Sequence, residues 1–259
     1  MAEAALRRAA PHRVDRLDIG YTDADAARLN EELAGLETTE FLDVMLNEFA
    51  PGELALVSSF GAESVVLLDL AAQVDPDVPV IFLDTGKHFP ETLAYRDEVT
   101  ARLGLTNVIT VHPDPADLAA RDEKGLRWSY DPDGCCELRK VIPLERALAP
   151  YRGSITGRKG FQAATRAALP RVEAEDGRLK INPMIDWTPD DVQAHLDRRN
   201  LPRHPLEAEG FPSIGCAPCT SKVKPGEDPR SGRWRGWDKT ECGIHTPGGD
   251  GEVSELPSF

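Results

Sequence analysis

Three observations predict an α/β fold in which a parallel twisted sheet is covered by helices on both faces. Short, near-continuous apolar runs recur as "ELALVSS" (53–59), "VPVIFLD" (78–84) and "NVITVH" (107–112). The segments between them, "ESVVLLDLAAQV" (63–74) and "PETLAYRDEVTARLG" (90–104), carry apolar residues at helical spacing. Small-residue loops, "SFGAES" and "DTGKHF", follow the first two runs. Strands buried on both faces read as unbroken apolar runs, and their alternation with helices marks parallel crossovers. Loops at the carboxyl edge of such a sheet are where open α/β folds bind ligands.

The elements follow in order. "DADAARLNEELAGL" spaces Ala27, Leu29, Leu33 and Leu36 as one amphipathic helix, and "TTEFLDVMLNEFA" (38–50) forms a second with Thr38 or Thr39 as its cap. Pro90 suits the first turn of the helix after the second strand. "RGSITGR" (152–158) reads as a fourth strand, and "TPDDVQAHLDRRN" as a later helix started by Thr188 and Pro189. The closing "TPGGDGEVSELPSF" reads as a mobile Gly/Pro tail. The chain divides into an N-terminal tail (1–22), an α/β domain (23–225) and a mobile C-terminal segment (226–259).

A chain of 259 residues, 41% hydrophobic and 29% charged, has the composition of a globular protein with a sizeable core. No stretch approaches the roughly 18–20 apolar residues of a membrane span. The start has no apolar secretory region, and Glu3, Asp15 and Asp18 oppose a transit peptide, so a cytoplasmic protein is predicted. The net charge of -14 argues against nucleic acid or an anionic membrane as partner. A small anionic ligand is compatible with it, because Lys222, Lys224, Arg230, Arg233, Arg235 and Lys239 make residues 222–239 a positive island.

Five cysteines carry the chemistry: Cys135 and Cys136 adjacent, Cys216 and Cys219 as C-x-x-C, and Cys242 alone. An odd count without a secretion signal argues against a disulfide framework. By itself "GCAPC" reads as zinc or a redox dithiol, with zinc favoured. The adjacent pair shifts the balance, because zinc ligands are usually spaced by two to four residues. A cubane takes one thiolate at each of four iron corners, so two pairs suit a 4Fe-4S cluster. Cys242 is then left over. A free thiol has a pKa of about 8.5, and cations lower it. Lys239 and His245 lie three residues to either side, while Glu241 opposes them.

The remaining motifs are weak singly. "VSSFGAES" between strand and helix can turn amides toward a phosphate, although it lacks the lysine of a Walker loop and by itself reads as an ordinary turn. "ITGRKGFQAATR" adds Thr156, Gly157 and Arg166 to the same edge. Arg230 and Arg233 in "DPRSGRWRGW" present planar forks suited to phosphate or sulfate oxygens.

Taken in order, "SSFGAES", "FLDTG", "CCELRKVIPL", "NPMIDWT", "PSIGCAPC", "DPRSGRW" and "KTECGIH" resemble the motifs of assimilatory adenosine 5′-phosphosulfate (APS) reductases, from about residue 53 to 245. The resemblance implies a modified PP-loop adenine-nucleotide fold, with Phe60 where ATP-cleaving relatives have glycine. It implies that Cys242 attacks the sulfate sulfur of APS, expels AMP and becomes an S-sulfocysteine, which thioredoxin or a similar dithiol reduces to release sulfite. By the same resemblance Ser58, Ser59, Phe60, Gly61, Leu83 and Gly157 hold the nucleotide. Lys140, Arg166, Arg230, Arg233 and His245 contact substrate, and Cys135, Cys136, Cys216 and Cys219 hold a 4Fe-4S cluster that carries no electrons. A place in sulfate assimilation and cysteine biosynthesis is implied, and a homo-oligomer is compatible. The family's G-L-R-R is "GRKG" in this chain, which puts Arg158 and Lys159 in doubt as equivalents of the arginine pair. The rival readings are a 3′-phosphoadenosine phosphosulfate (PAPS) reductase, a PP-loop tRNA thiolation enzyme, and a zinc-stapled binding module in which Cys242 is dispensable.

Overall fold

The computed structural model describes residues 20–163, 166–239 and 241–244. Most of the predicted N-terminal tail, His245 and the Gly/Pro tail lie outside the described residues.

The strands are β1 (Leu54–Ser58), β2 (Val80–Leu83), β3 (Val108–Val111), β4 (Gly153–Thr156), β5 (Val172–Glu175) and β6 (Arg178–Ile181). They form one sheet in the order β3-β2-β1-β4-β6-β5. All neighbours are parallel except β5 and β6. The central strands β1, β2 and β4 are buried on both faces, and the strand alternation shows it. Leu54, Leu56, Val80 and Phe82 enter the main core with Phe41, Met45 and Val65. Their neighbours Ala55, Ile81 and Leu83 point the other way, onto Leu144. Successive side chains of a strand point to opposite faces, so the unbroken apolar runs are the consequence of two covered faces.

The helices are α1 (Asp23–Glu32), α2 (Thr38–Asp43), α3 (Ser64–Val74), α4 (Pro90–Leu103), α5 (Pro115–Arg121), α6 (Pro132–Cys136), α7 (Ile142–Leu148) and α8 (Pro189–Arg198). α8 starts as its sequence predicts, with a reciprocal cap between Thr188 and Asp191 and Pro189 in the first turn. The second predicted helix differs. Glu37 occupies its cap position without a side-chain bond, and the helix continues from α2 into a π-helical stretch, Val44–Phe49. Thr38 Oγ1 instead accepts a hydrogen bond from Trp187 Nε1 at 2.9 Å.

The β5–β6 hairpin was not foreseen. Its turn is Asp176-Gly177, at φ 49° and 75°, the left-handed pair that a two-residue hairpin turn of type I′ requires. The dipeptide is a hairpin signal, but "VEAE" and "RLKI" are short and half polar, because only one face of this edge packs inward. The pair extends the sheet beyond the four expected strands. At the back of α3, Asp69 is bonded to His195 Nε2 (2.8 Å) and to Arg199 Nε (3.1 Å), which fixes α8 against it. Among the described residues no helix is long and apolar enough to cross a membrane.

Candidate active site

The carboxyl ends of β1, β2 and β4 open into a cavity of about 610 Å³, within the size range of small-molecule sites. Ser58, Ser59 and Gly61 line it from the β1–α3 loop, Leu83 from the end of β2, and Gly157 from the turn after β4. Phe60, predicted beside them, turns away. Its ring is fully buried and meets Phe82 edge-on, with centroids 5.5 Å apart. It adopts a left-handed φ of 47°, and its amide donates to Ser58 Oγ at 3.2 Å. Phe60 thus anchors the loop in the core and leaves its neighbours facing the cavity.

The opposite wall is cationic. Lys140, from the π-helical stretch Glu137–Val141 that follows α6, lines the cavity together with Arg166, Arg230, Arg233 and Cys242. Burial works against the Lys140 ammonium, yet the sulfurs of Cys216, Cys242 and Cys136 around it hold its pKa above the ordinary lysine value. Arg233 also lies within electrostatic reach of Cys242. The cations beside Cys242 therefore include two that are not its chain neighbours. Lys239, three residues before it, is engaged by Asp133 and lies over the Trp234 ring. His245 lies outside the described residues.

Arg158 and Lys159 of "GRKG" both line the cavity, and each is engaged by a carboxylate. Arg158 is buried and donates to Glu173 (2.5 Å) and Asn182 (2.9 Å). Lys159 Nζ, also buried, is held by Glu63 at 2.9 Å and the Gly157 carbonyl at 3.2 Å.

Next to the cationic wall the two cysteine pairs converge. Cys135 lies within electrostatic reach of Cys216 and Cys219, and Cys136 of Cys216 and Cys242. Burial raises the Cys135, Cys136 and Cys219 thiols, Cys136 to about 11. Burial would raise Cys216 too, but Lys140, the Thr85 hydroxyl 3.3 Å away, Arg233 and Arg139 together hold it low. No three Cys, His, Asp or Glu side chains among the described residues converge on a position for a single ion. Four thiols from two separate segments are a donor set of the kind iron–sulfur groups use. Buried polar atoms without a hydrogen-bond partner among the described residues include Arg233 Nε and His88 Nδ1 beside them.

Sequence reading missed the framework that holds these groups. Arg139 is buried, its Nη2 2.6 Å from Asp122 Oδ2 and its Nη1 donating to the Thr85 carbonyl at 2.8 Å. Backbone bonds from Ala217 to Lys87 (2.8 Å) and from Trp234 to Cys219 (3.0 Å) lace the C-x-x-C turn to both flanking segments. His88 Nε2 donates to the Leu83 carbonyl at 2.8 Å, which fixes its tautomer, and burial lowers its pKa. Glu241 was read as an opponent of the thiolate. It is instead paired with Arg166 Nε (3.0 Å) and Nη2 (2.8 Å). None of these contacts has a local sequence signature.

Gly215 shows how closely the wall is packed. A methyl group added there would lie 2.2 Å from Arg233 Nη2, so the guanidinium rests against bare backbone. Gly215→Ala must push Arg233 aside, and displacement of a positioning cation by about 1 Å can cost on the order of 100-fold in rate. The expected result is a 10- to 100-fold loss of activity, by that same reasoning, with little change in thermal midpoint. Steady-state assays beside a melting curve check it.

Comparison with known proteins supplies the context. Residues 53–222 match the family described as the phosphoadenosine phosphosulfate reductase domain. The chain is 51% identical over 225 residues to the adenosine 5′-phosphosulfate reductase of Mesorhizobium japonicum, covering 87% of this chain and 89% of that one. It is 47% identical over 198 residues to the phosphoadenosine 5′-phosphosulfate reductase of Gloeobacter violaceus, covering 74% and 82%. Among solved structures it resembles the phosphoadenylyl-sulfate reductase of Candida auris in its phosphate complex. That match has a TM-score of 0.66 and 29% identity, over 79% of this chain and 99% of that one.

Proposed function

Because the chain belongs to the phosphoadenosine phosphosulfate reductase family, we propose that it reduces adenosine 5′-phosphosulfate to sulfite and AMP through a covalent adduct on Cys242. The observation that carries this reading is that Cys242 lines a cavity of about 610 Å³ together with Lys140 and Arg233, both within electrostatic reach of it. The thiolate is the nucleophilic form of cysteine. The cations meet the charge that builds on the sulfuryl and phosphate oxygens as the bond to AMP breaks.

In the first step the Cys242 thiolate attacks the sulfate sulfur, and the sulfur–oxygen bond to the phosphate breaks. AMP leaves with the electron pair and Cys242 becomes an S-sulfocysteine. A dithiol such as thioredoxin then attacks the Cys242 sulfur and displaces sulfite, and its second thiol resolves the mixed disulfide. The dithiol is oxidised by two electrons, and the sulfur leaves as sulfite. Ser58, Ser59, Gly61, Leu83 and Gly157 are assigned to the nucleotide, with the Phe60 main chain completing the loop. Arg166, Arg230, Arg233, Lys140 and His245 are assigned to the anionic groups. Residues 226–259 are assigned to a segment that brings the thiol over the cavity and presents the adduct to the reductant.

Cys135, Cys136, Cys216 and Cys219 would hold a 4Fe-4S cluster. Their all-sulfur character, their mutual electrostatic proximity and the adjoining Thr85 hydroxyl and Arg139 cation fit that group. When bound it would staple residues 135–136 to residues 216–219 and add charge beside Lys140. A PP-loop thiolation enzyme fits poorly, since the formal charge of -14 repels tRNA.

The test is intact-protein mass after anaerobically purified protein is mixed with APS or, separately, with PAPS, without reductant. One SO3 gained from APS alone and mapped to Cys242 supports nucleophile, substrate and intermediate together. The same gain from PAPS, the substrate in the name of the Gloeobacter relative, would keep the chemistry and move the substrate. No adduct with either would overturn the reading.

A further inference from the structure

Glu241 stands immediately before Cys242, and its carboxylate sits between two of the arginines assigned to substrate anions. Arg166 reaches it with both forks of its guanidinium, Nε at 3.0 Å and Nη2 at 2.8 Å. Arg230 Nη2 approaches the same carboxylate at 3.5 Å. The remaining Arg166 nitrogen, Nη1, donates to Gln162 at 2.8 Å, so the guanidinium is held in plane for a bidentate partner. All three side chains line the cavity, with Arg166 only 9% exposed. A carboxylate meeting a guanidinium edge through two oxygens occupies the geometry that a sulfate or phosphate would use.

We propose that Glu241 is a positioning residue that occupies the anion subsite in the ligand-free enzyme and yields it to the substrate, so that anion binding releases the segment bearing Cys242. The proposal rests on the assignment of Arg166 and Arg230 to the substrate's anionic groups. Consecutive Cα atoms lie about 3.8 Å apart, so a carboxylate fixed on Arg166 fixes the neighbouring thiol to within one residue's reach. One carboxylate faces two guanidinium groups. An anion with more charged oxygens than a carboxylate can meet both guanidinium groups at once and so competes with the tethered one. Because an internal competitor reduces apparent affinity by the fraction of protein it blocks, the pairing keeps the site closed until a sufficiently charged ligand arrives. A neutral nucleoside, having no anion, gains nothing by displacing Glu241.

Two readouts test the proposal on the full-length, anaerobically purified chain. The first compares Glu241→Gln with the parent for iodoacetamide labelling of Cys242 without ligand, followed by peptide mass across pH. Loss of a neighbouring negative charge shifts the midpoint of the pH profile, whereas release of the segment raises its high-pH plateau, here by about threefold or more. The second compares APS and adenosine affinities in Cys242→Ser with and without Glu241→Gln. APS binding is expected to tighten about 3- to 30-fold, and adenosine binding to stay the same. A merely structural role for Glu241 would weaken APS binding. An unmoved plateau, or APS affinity unchanged or weaker, overturns the proposal. If Cys242→Ser itself fails to bind APS, the substrate assignment is what fails, and the labelling plateau, which needs no substrate, still decides the role of Glu241.

Discussion

Replacing Cys242 with serine is expected to lower sulfite production by a factor on the order of 10⁴ or more, the scale seen when a nucleophile is removed. Nucleotide affinity should change little. The reason is chemical: a thiol ionises far more readily than a serine hydroxyl, which at neutral pH supplies no comparable anion. The cavity walls do not depend on the sulfur, since Lys140 and the β1–α3 loop are set by other elements. Titration of the variant with APS, alongside a sulfite-release assay, separates the two effects. Sulfite formed at the parent rate would mean that another group attacks the sulfur.

The second large effect concerns stability. Asp122→Ala is expected to destabilise the fold by about 3–5 kcal/mol, because it strands a buried guanidinium without its counter-charge. The side chains of Arg139 and Asp122 are 8% and 1% exposed, so solvent screens the pair little. For a chain of this length that loss corresponds to a drop of roughly 10 °C in melting temperature. Acid unfolding provides a second signature. Burial alone would raise the Asp122 carboxyl, but hydrogen bonds from Arg139 and from the Arg127 amide hold it below its ordinary value of 3.8. With a depressed folded pKa, the group stabilises the fold above that ordinary value, and the contribution is lost as pH falls through the lower folded one. Urea titrations from pH 7 down to about 3 should show this acid limb in the parent and a shallower one in the variant. Since Arg139 also binds the Thr85 carbonyl, and Thr85 meets Cys216, the variant should loosen the C-x-x-C turn as well.

The parallel core was legible because its physics is local. A strand covered on both faces must be apolar throughout, and "ELALVS" and "VPVIFL" could be read without knowing what covers them. The cap of α8 was legible for the same reason, since Thr188 and Asp191 satisfy each other within one turn. The β5–β6 edge was harder, because a half-exposed strand mixes polar and apolar residues and only "DG" at its turn is distinctive. Phe60 shows the limit for a single residue: its motif placed it in the loop, but only packing against Phe82 decides that its ring faces the core.

The sequence by itself determined the strand–helix order, the five thiols and the arginines, all properties of residue type and spacing along the chain. Tertiary structure decided which charges act on which groups. Lys140 and Arg233 reach Cys242 while the nearer Lys239 is taken by Asp133, and Glu241 is absorbed by Arg166. Those partners come from segments up to about a hundred residues away, and electrostatic interaction depends on distance through space and on burial. Neither quantity is written in the order of the residues.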